Sequence, residues 1–398
     1  MPALKGETPS QQRSRLRHIA LVAQVGLSLV LLLCAGLFLR SIFRLSAADP
    51  GFTVNNRLYV LTYISEPEFT AETGRRFYAR TLEHIRALPG VRSAALTRFL
   101  PLMVAGQETE CISSEKFPPF QTALGVIDSG FLTTMRIPLL EGRDFGAADG
   151  PESPPVVLVN QTLAHRLWPH AGAVGQHVRI GCEVPVPAEV IGIVRDTKVR
   201  SLGETPQPHF YRPFAQRYTG LATIIIETPS DTGSIAPAIR AALRTESASL
   251  RIYALESLGL HVERSYFQVR WEASLILIFG LLALLLAAVS LFGIMASHVT
   301  QRAHEIGVRM ALGAHRRDVL RLILGQGLRI TLLGILIGLA ASAGISRLLV
   351  QFLSGLSPTD PLTFIATALL WVCVALLACY VPARRAMRVD PIVALRHE

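Results

Sequence analysis

Charge is scarce in this 398-residue chain. Only 17% of residues are Asp, Glu, Lys or Arg, half are hydrophobic, and mean hydropathy is +0.40. A soluble globular chain carries about 25% charged residues. The deficit excludes an ordinary soluble enzyme, and the apolar half excludes intrinsic disorder. Lysine is nearly absent: Lys5, Lys116 and Lys198 stand against 36 arginines, and none of the three follows a glycine. A phosphate-binding Walker loop needs a Gly-Lys pair followed by Ser or Thr, so that an ammonium reaches the β and γ phosphates. ATP hydrolysis by such a loop is therefore excluded for this chain. Two other signatures are missing. No two of the 11 histidines are spaced i,i+4 as in a helical metal site, and no G-x-S-x-G marks a serine nucleophile. The surplus of positive charge, +10 in all, is not gathered into a stripe interleaved with aromatics. We expect no enzyme activity, no metal, no cofactor and no nucleic-acid partner.

What is present is long apolar runs. Ile19–Leu39 is 21 residues without a charge, Ala273–Gln301 is 29, Ile330–Ser346 is 17 and Pro361–Ala383 is 23. About 20 apolar residues cross a hydrocarbon core as a helix. The third run reaches that length if its helix extends back through Leu322–Leu328 with its arginines snorkelling. Arg40-Ser41 replaces a small-residue cleavage pattern, so the first run reads as an uncleaved anchor. The predicted fold is a membrane protein with four transmembrane α-helices, one and then three, and a large α+β domain inserted between helices 1 and 2. The expected division is 1–18, helix 19–41, outer domain 45–270, helix 271–300, connection 301–320, helix 321–350, outer loop 351–360, helix 361–383 and tail 384–398.

Basic residues set the orientation. Lys5, Arg13, Arg15 and Arg17 precede the first run. Arg302, Arg309, Arg316, Arg317 and Arg321 lie between the second and third, and Arg384, Arg385, Arg388 and Arg396 follow the fourth. The loop 348–360 has none. The positive-inside rule then puts both termini in the cytoplasm and 45–270 in the periplasm of a bacterial inner membrane.

The outer segment alternates strand and helix signals. Arg57–Ile64, Val91–Thr97, Pro155–Asn160, Gly175–Ile180, Glu189–Val194, Leu221–Thr228 and Leu250–Ala254 read as strands, and Thr70–Leu88 and Ser234–Arg244 as helices. Asn160 reads as the N-cap of a short helix through Trp168. Asp144 and Asp149 read as turn residues, and Pro185, Pro187, Pro206, Pro208 and Pro213 as irregular connections. Cys111 and Cys182 fall in this segment, where the compartment permits a disulfide. Two cysteines so far apart in sequence make a weak case for one, and the reading leans against a bridge.

The stretch between the second and third runs begins QRAHEIGVRMALGA (301–314). Glu305 and Arg309 stand at i,i+4, Ile306 and Met310 form a small apolar face, and Gly307 and Gly313 permit close approach. From these residues alone, a topology anchor and a docking helix for a soluble motor are equally good readings. The segment resembles the coupling region of FtsX-like and MacB-like permeases of type VII ABC systems, whose pattern runs approximately R-T-R-E-I-G-I-R-M-A-L-G-A. It matches at Arg302, Glu305, Ile306, Gly307, Arg309, Met310, Ala311, Leu312, Gly313 and Ala314, and departs at Ala303 and His304. The tail PARRAMRVDPIVALRHE (382–398), the start AQVGLSLVLLLCAGLFLRS (23–41) and the phrases IPLLEGRDF (137–145) and VVLVNQTLAHRLWP (156–169) resemble the same family. Residues 1–18 resemble the joint of its acidobacterial-type duplicated members, so a lone half of such a pair is expected.

The resemblance implies a MacB-like core domain at 45–270 and an FtsX-like domain at 271–398. It further implies mechanotransmission, in which a cytoplasmic ATPase subunit docks on Arg302, Glu305, Gly307, Arg309, Met310, Leu312 and Gly313 and its motion is carried to the outer domain for export or lipoprotein handling. Implied partners are that ATPase, a second copy or second permease half, membrane lipid, and a periplasmic adaptor or hydrolase. The alternative is a membrane-anchored regulator of a periplasmic partner such as a cell-wall hydrolase.

Overall fold

The computed structural model describes residues 9–65, 69–103, 107–229, 232–247, 249–265, 267–301, 316–348 and 360–386. They fall into two compact units, one helical (up to Arg44 and from Gln268 on) and one of mixed structure (Leu45–Phe267). The chain passes between them inside α1 (Pro9–Ala47) and at the start of α7 (Phe267–Gln301).

The outer unit is built on β1 (Arg57–Tyr63), α2 (Ala71–Arg86), β2 (Ser93–Thr97), β10 (Leu221–Glu227), α5 (Thr232–Glu246) and β11 (Arg251–Ser257). The strands pair antiparallel in the order β11-β1-β10-β2. This is a doubled β-α-β arrangement of the ferredoxin-like kind. Its strands are apolar on both sides because both faces are covered. Leu58, Val60, Ile224 and Ile226 join α2 and α5 in one core. Tyr59 and Ile225, one residue out of phase, join the other core with α3 (Phe131–Met135) and α6 (Leu258–Ser265). Thr70 caps α2, its hydroxyl accepting from Thr73 N at 3.3 Å.

Everything between β2 and β10 is an insertion into that layer. It comprises β3 (Glu108–Ser113), β4 (Phe120–Ile127), α3, β5 (Leu139–Gly142), β6 (Val156–Asn160), α4 (Gln161–Leu167), β7 (His177–Ile180), β8 (Val186–Val194) and β9 (His209–Pro213). Six of these strands form a closed ring, β4-β3-β7-β8-β6-β9 and back to β4, with β6–β8 and β9–β4 parallel. Every strand of the ring gives apolar side chains to the first core, among them Ile112, Leu124, Val178, Val190, Val157 and Phe210. A closed ring leaves its own strands no free edge.

The segments read as strands and helices are all present, within a residue or three at their ends. Asn160 is the N-cap of α4, its Oδ1 accepting from Leu163 N and from His209 N at 3.0 Å each. It is itself buried. Asp149 takes both guanidinium nitrogens of Arg143 at 2.7 and 2.8 Å and the Gly146 N–H, and Asp144 takes the Phe145 N–H. They are turn residues, as their setting in EGRDFGAADG suggests.

Three expectations need correction. β3, β4, β5, β9, α3 and α6 carry no strong local signal and add to the elements read from the sequence. Pro187 and Pro213 are not in connections but near the start of β8 and at the end of β9, strand margins where a missing N–H costs least. Cys111 and Cys182 form a disulfide, with Cα atoms 5.0 Å apart. The pairing of β3 with β7, Ile112 opposite Ile180, brings residues 71 apart in sequence side by side.

The helical unit holds α1, α7, α8 (Arg316–Leu348) and α9 (Pro361–Ala386). Among the described residues these four helices are long and apolar enough to cross a membrane, with spans Ile19–Ala47, Arg270–Gln301, Gly327–Ile345 and Pro361–Arg384.

Candidate functional site

The residues expected to meet an ATPase, Arg302, Glu305, Gly307, Arg309, Met310, Leu312 and Gly313, lie outside the described residues. They belong to the connection between the end of α7 at Gln301 and the start of α8 at Arg316. The structure does describe the helices that this connection joins.

α1 is the innermost of the four. In its most apolar window 61% is buried, against 17% for α7 and 28% each for α8 and α9. Val25, Leu29 and Leu33 of α1 pack with Leu284, Leu291 and Met295 of α7, Ile335 of α8, and Trp371, Ala375 and Cys379 of α9. Lipid is as apolar as leucine, so helices in a membrane associate through close fit. Glycine supplies it here. A Cβ on Gly338 would come within 2.7 Å of Leu29 Cδ2 and 3.0 Å of Gly26 O. One on Gly334 would meet Val25 Cβ at 2.7 Å, and one on Gly280 would meet Leu32 N at 3.3 Å. Gly334 and Gly338 form a G-x-x-x-G pair in an apolar run, the local signal that could have revealed this crossing.

Polar groups in the unit are few and mostly bonded to their own helix. Ser28 Oγ donates to Val25 O, Thr331 Oγ1 to Gly327 O and Thr367 Oγ1 to Thr363 O. At one end Asp360 caps α9, accepting from Thr363 N and Thr363 Oγ1, and pairs with Arg40 of α1. Between Ala273 and Ser297, α7 has no Asp, Glu, Lys, Arg or His. A transporter with a mid-membrane substrate site places ionisable groups along its helices. The described interior is instead packed and apolar.

Among the described residues no cluster of His, Cys, Asp and Glu can hold a metal. His84 pairs with Glu246 on the surface. His209 is buried on β9 against Tyr211, ring centroids 4.3 Å apart, and burial pushes its pKa down to about 3, so it is neutral. Both rings stack over Gly125, where a Cβ would collide with Tyr211. A cavity of about 330 Å³ opens between α2 and the ring, with Leu82, Phe145 and Phe214 as apolar wall and Arg75, Arg86 and Asp128 among its polar groups. Burial lifts the Asp128 carboxyl to about 6, against the pull of Arg86 at 3.6 Å and the Gly130 N–H. Asp144, half-buried and close to the charge of Asp149, is raised to about 6 as well.

One transmembrane helix, a large α+β domain and three further helices define a membrane permease of the one-plus-three kind. Residues 27–245 match the MacB-like periplasmic core domain, and residues 277–391 match the FtsX-like permease C-terminal domain. The chain belongs to the MacB-like, FtsX-like family of ABC transporter permeases, as a membrane component. It is 28% identical over 288 residues to the macrolide export ATP-binding/permease protein MacB of Azoarcus sp. strain BH72, covering 66% of this chain and 40% of that one. It is 24% identical over 414 residues to the uncharacterized ABC transporter permease YknZ of Bacillus subtilis strain 168, covering 100% of this chain and 98% of that one. The chain thus spans about two fifths of the MacB relatives it matches. Among solved structures, the periplasmic region of MacB from Actinobacillus actinomycetemcomitans is similar to 53% of this chain and 92% of its own (13% identity, TM-score 0.37). The extracellular domain of YknZ from Gram-positive bacteria is similar to 49% of this chain and 100% of its own (15% identity, TM-score 0.34).

Proposed function

We propose that this chain is the permease subunit of an ABC-type mechanotransmission system. A cytoplasmic ATPase subunit displaces the connection between α7 and α8, and the helices carry that displacement to the outer unit. No substrate passes through the helical unit. The observation that carries this reading is the packed, apolar interior around α1 among the described residues. Relatives are named for export; for this chain we propose work on the outer side of the membrane, by export or lipoprotein handling, without a particular cargo. ATP hydrolysis resides in the partner, in keeping with the absence of any Gly-Lys pair. A second copy or second permease half completes the assembly.

The proposed topology has both termini in the cytoplasm of a bacterial inner membrane and residues 45–270 in the periplasm. The arginine-rich inner segments support it. So does the Cys111–Cys182 bridge, because disulfides persist in oxidising compartments.

Docking would rest on Glu305, Gly307, Arg309, Met310 and Gly313, with Arg302 and Leu312 beside them. Met310 would fill a groove on the motor, and Glu305 with Arg309 would fix its orientation. A buried apolar anchor contributes about 1.5–3 kcal/mol, whereas an exposed ion pair contributes about 0–1 kcal/mol. Met310→Asp is therefore expected to weaken co-purification with the cognate ATPase roughly tenfold or more, and Arg309→Ala much less. A connection that served topology alone would tolerate Met310→Asp, since acidic residues weigh little in the positive-inside rule. Undiminished ATPase capture by Met310→Asp would overturn the docking assignment, and no capture by the parent would remove the main support of the transport reading and leave an incomplete half or a regulator.

A further inference from the structure

At one end of the open layer three guanidinium groups converge on one carboxylate. Glu227 ends β10, Arg57 begins β1 directly opposite, Arg92 immediately precedes β2, and Arg136 is the C-cap of α3. All three reach the same oxygen, Glu227 Oε1: Arg136 Nη2 at 2.8 Å, Arg57 Nη2 at 3.6 Å and Arg92 Nη1 at 3.6 Å. Ser93 Oγ donates to Oε2 at 3.2 Å. Arg57 is buried, its Nε donating to Thr134 O at 2.6 Å and its Nη1 to Asn55 O at 2.8 Å.

One carboxylate balances one guanidinium, and the buried Arg57 already faces it. Arg92 and Arg136, with side chains 58% and 55% exposed, are gathered on that same oxygen, and among the described residues no second carboxylate pairs with either. Like charges held this close repel, so the arrangement favours an incoming anion. Two further observations fall at the same place. Arg57 Nη2 and Thr134 Oγ1 are buried without a hydrogen-bond partner among the described residues. Of the three non-glycine residues at positive φ among the described residues, two flank the cluster: Asn56 (58°) and Arg136 itself (53°). A left-handed non-glycine backbone costs about 1 kcal/mol or more and persists only where its surroundings demand it.

We propose that Arg92 and Arg136, backed by the buried Arg57–Glu227 pair, form a binding site for a phosphate-type oxyanion. Planar guanidinium forks match the oxygens of such a group and hold it by paired, charge-assisted hydrogen bonds. Glu227 positions the two forks, and a dianion between them removes their mutual repulsion. The chemistry is that of the phosphate group, carried either by the free ion or by the headgroup of an anionic phospholipid. The proposal does not depend on the transport reading.

The test uses the full chain in a non-ionic detergent at pH 7.5 and fixed ionic strength. One arm titrates inorganic phosphate by calorimetry. The other counts phosphatidylglycerol retained on the protein by native mass spectrometry, with phosphatidylcholine as reference. Each is run on the parent, on Arg92→Gln with Arg136→Gln, and on Arg76→Gln with Arg240→Gln, which removes equal charge from exposed positions on α2 and α5. Weakening of at least tenfold in one arm for the first pair, with the second pair unchanged, supports the site, and the responding arm identifies the source of the phosphate. Where the double variant does not fold, Arg92→Gln alone carries the test, with weakening of at least threefold expected. No binding to the parent in either arm, or equal effects of the two charge removals, would overturn the proposal.

Discussion

Asp128 is held at the wall of the outer-unit cavity by its own turn and by Arg86, and burial raises its carboxyl to about 6. An unfolded aspartate titrates near 3.8. The folded chain therefore binds the proton more tightly than the unfolded chain does. That preference stabilises the fold at and below about pH 4 and is lost as pH rises to about 6. Asp144 titrates in the same window for a similar reason. Asp128→Asn removes the first contribution and leaves the second. Its apparent melting temperature in detergent should equal the parent's near pH 4 and exceed it near pH 7.5, by an increment worth of the order of 1–3 kcal/mol. Parallel pH profiles for the two proteins would show that Arg86 keeps Asp128 ionised throughout.

At the scale of elements, two kinds of contact fix the fold: close helix crossings and a covalent clasp. Gly338→Leu drives a branched side chain into Leu29 and the α1 backbone. Overpacking of this kind costs about 1–3 kcal/mol. The detergent-solubilised protein should unfold at a lower mole fraction of sodium dodecyl sulfate, whereas Gly293→Ala, which meets nothing within 4 Å, should match the parent. The clasp has its own signature. Maleimide should count three thiols in the denatured, unreduced chain, those of Cys34, Cys373 and Cys379, and five after reduction. Five before reduction would mean that Cys111 and Cys182 are free. Replacing both with serine should lower the stability of the outer unit by about 2–4 kcal/mol, the usual range for a bridge across a long loop. Local signals made some elements legible and not others. The helical run of Phe77, Leu82 and Ile85 and the apolar run at Ile224–Ile226 announce themselves within a few residues. β3 (ETECIS) and β9 (HFYRP) do not, because polar residues and a proline mask strands whose identity comes from their partners in the ring.

For the whole molecule, the distribution of arginine predicts which face of the membrane each unit occupies. Gly150 borders open space, so Gly150→Cys should be tolerated. In a background lacking Cys34, Cys373 and Cys379, an impermeant maleimide should label Gly150→Cys in intact spheroplasts and Arg316→Cys only after permeabilisation. The opposite pattern would invert the proposed topology and with it the docking of an ATPase at Met310.

What the sequence by itself determined is what depends on runs of neighbours: four spans from unbroken apolar length, the lack of a Walker loop, and the family motif from Arg302 to Ala314. Hydropathy and helix length act over 20 residues or so, and one chain displays them directly. Only the tertiary structure decided the rest. The ring closes because β4 meets β9, some 80 residues further on, and the β3–β7 pairing within it sets Cys111 beside Cys182. Gly26 and Gly338 are 312 positions apart and matter only where α1 and α8 cross. Arg57, Arg92 and Arg136 are unremarked in sequence until strand register and a left-handed cap deliver all three to one oxygen of Glu227. Such groupings are invisible along the chain because they are set by long-range pairing, and pairing depends on which surfaces must be buried together.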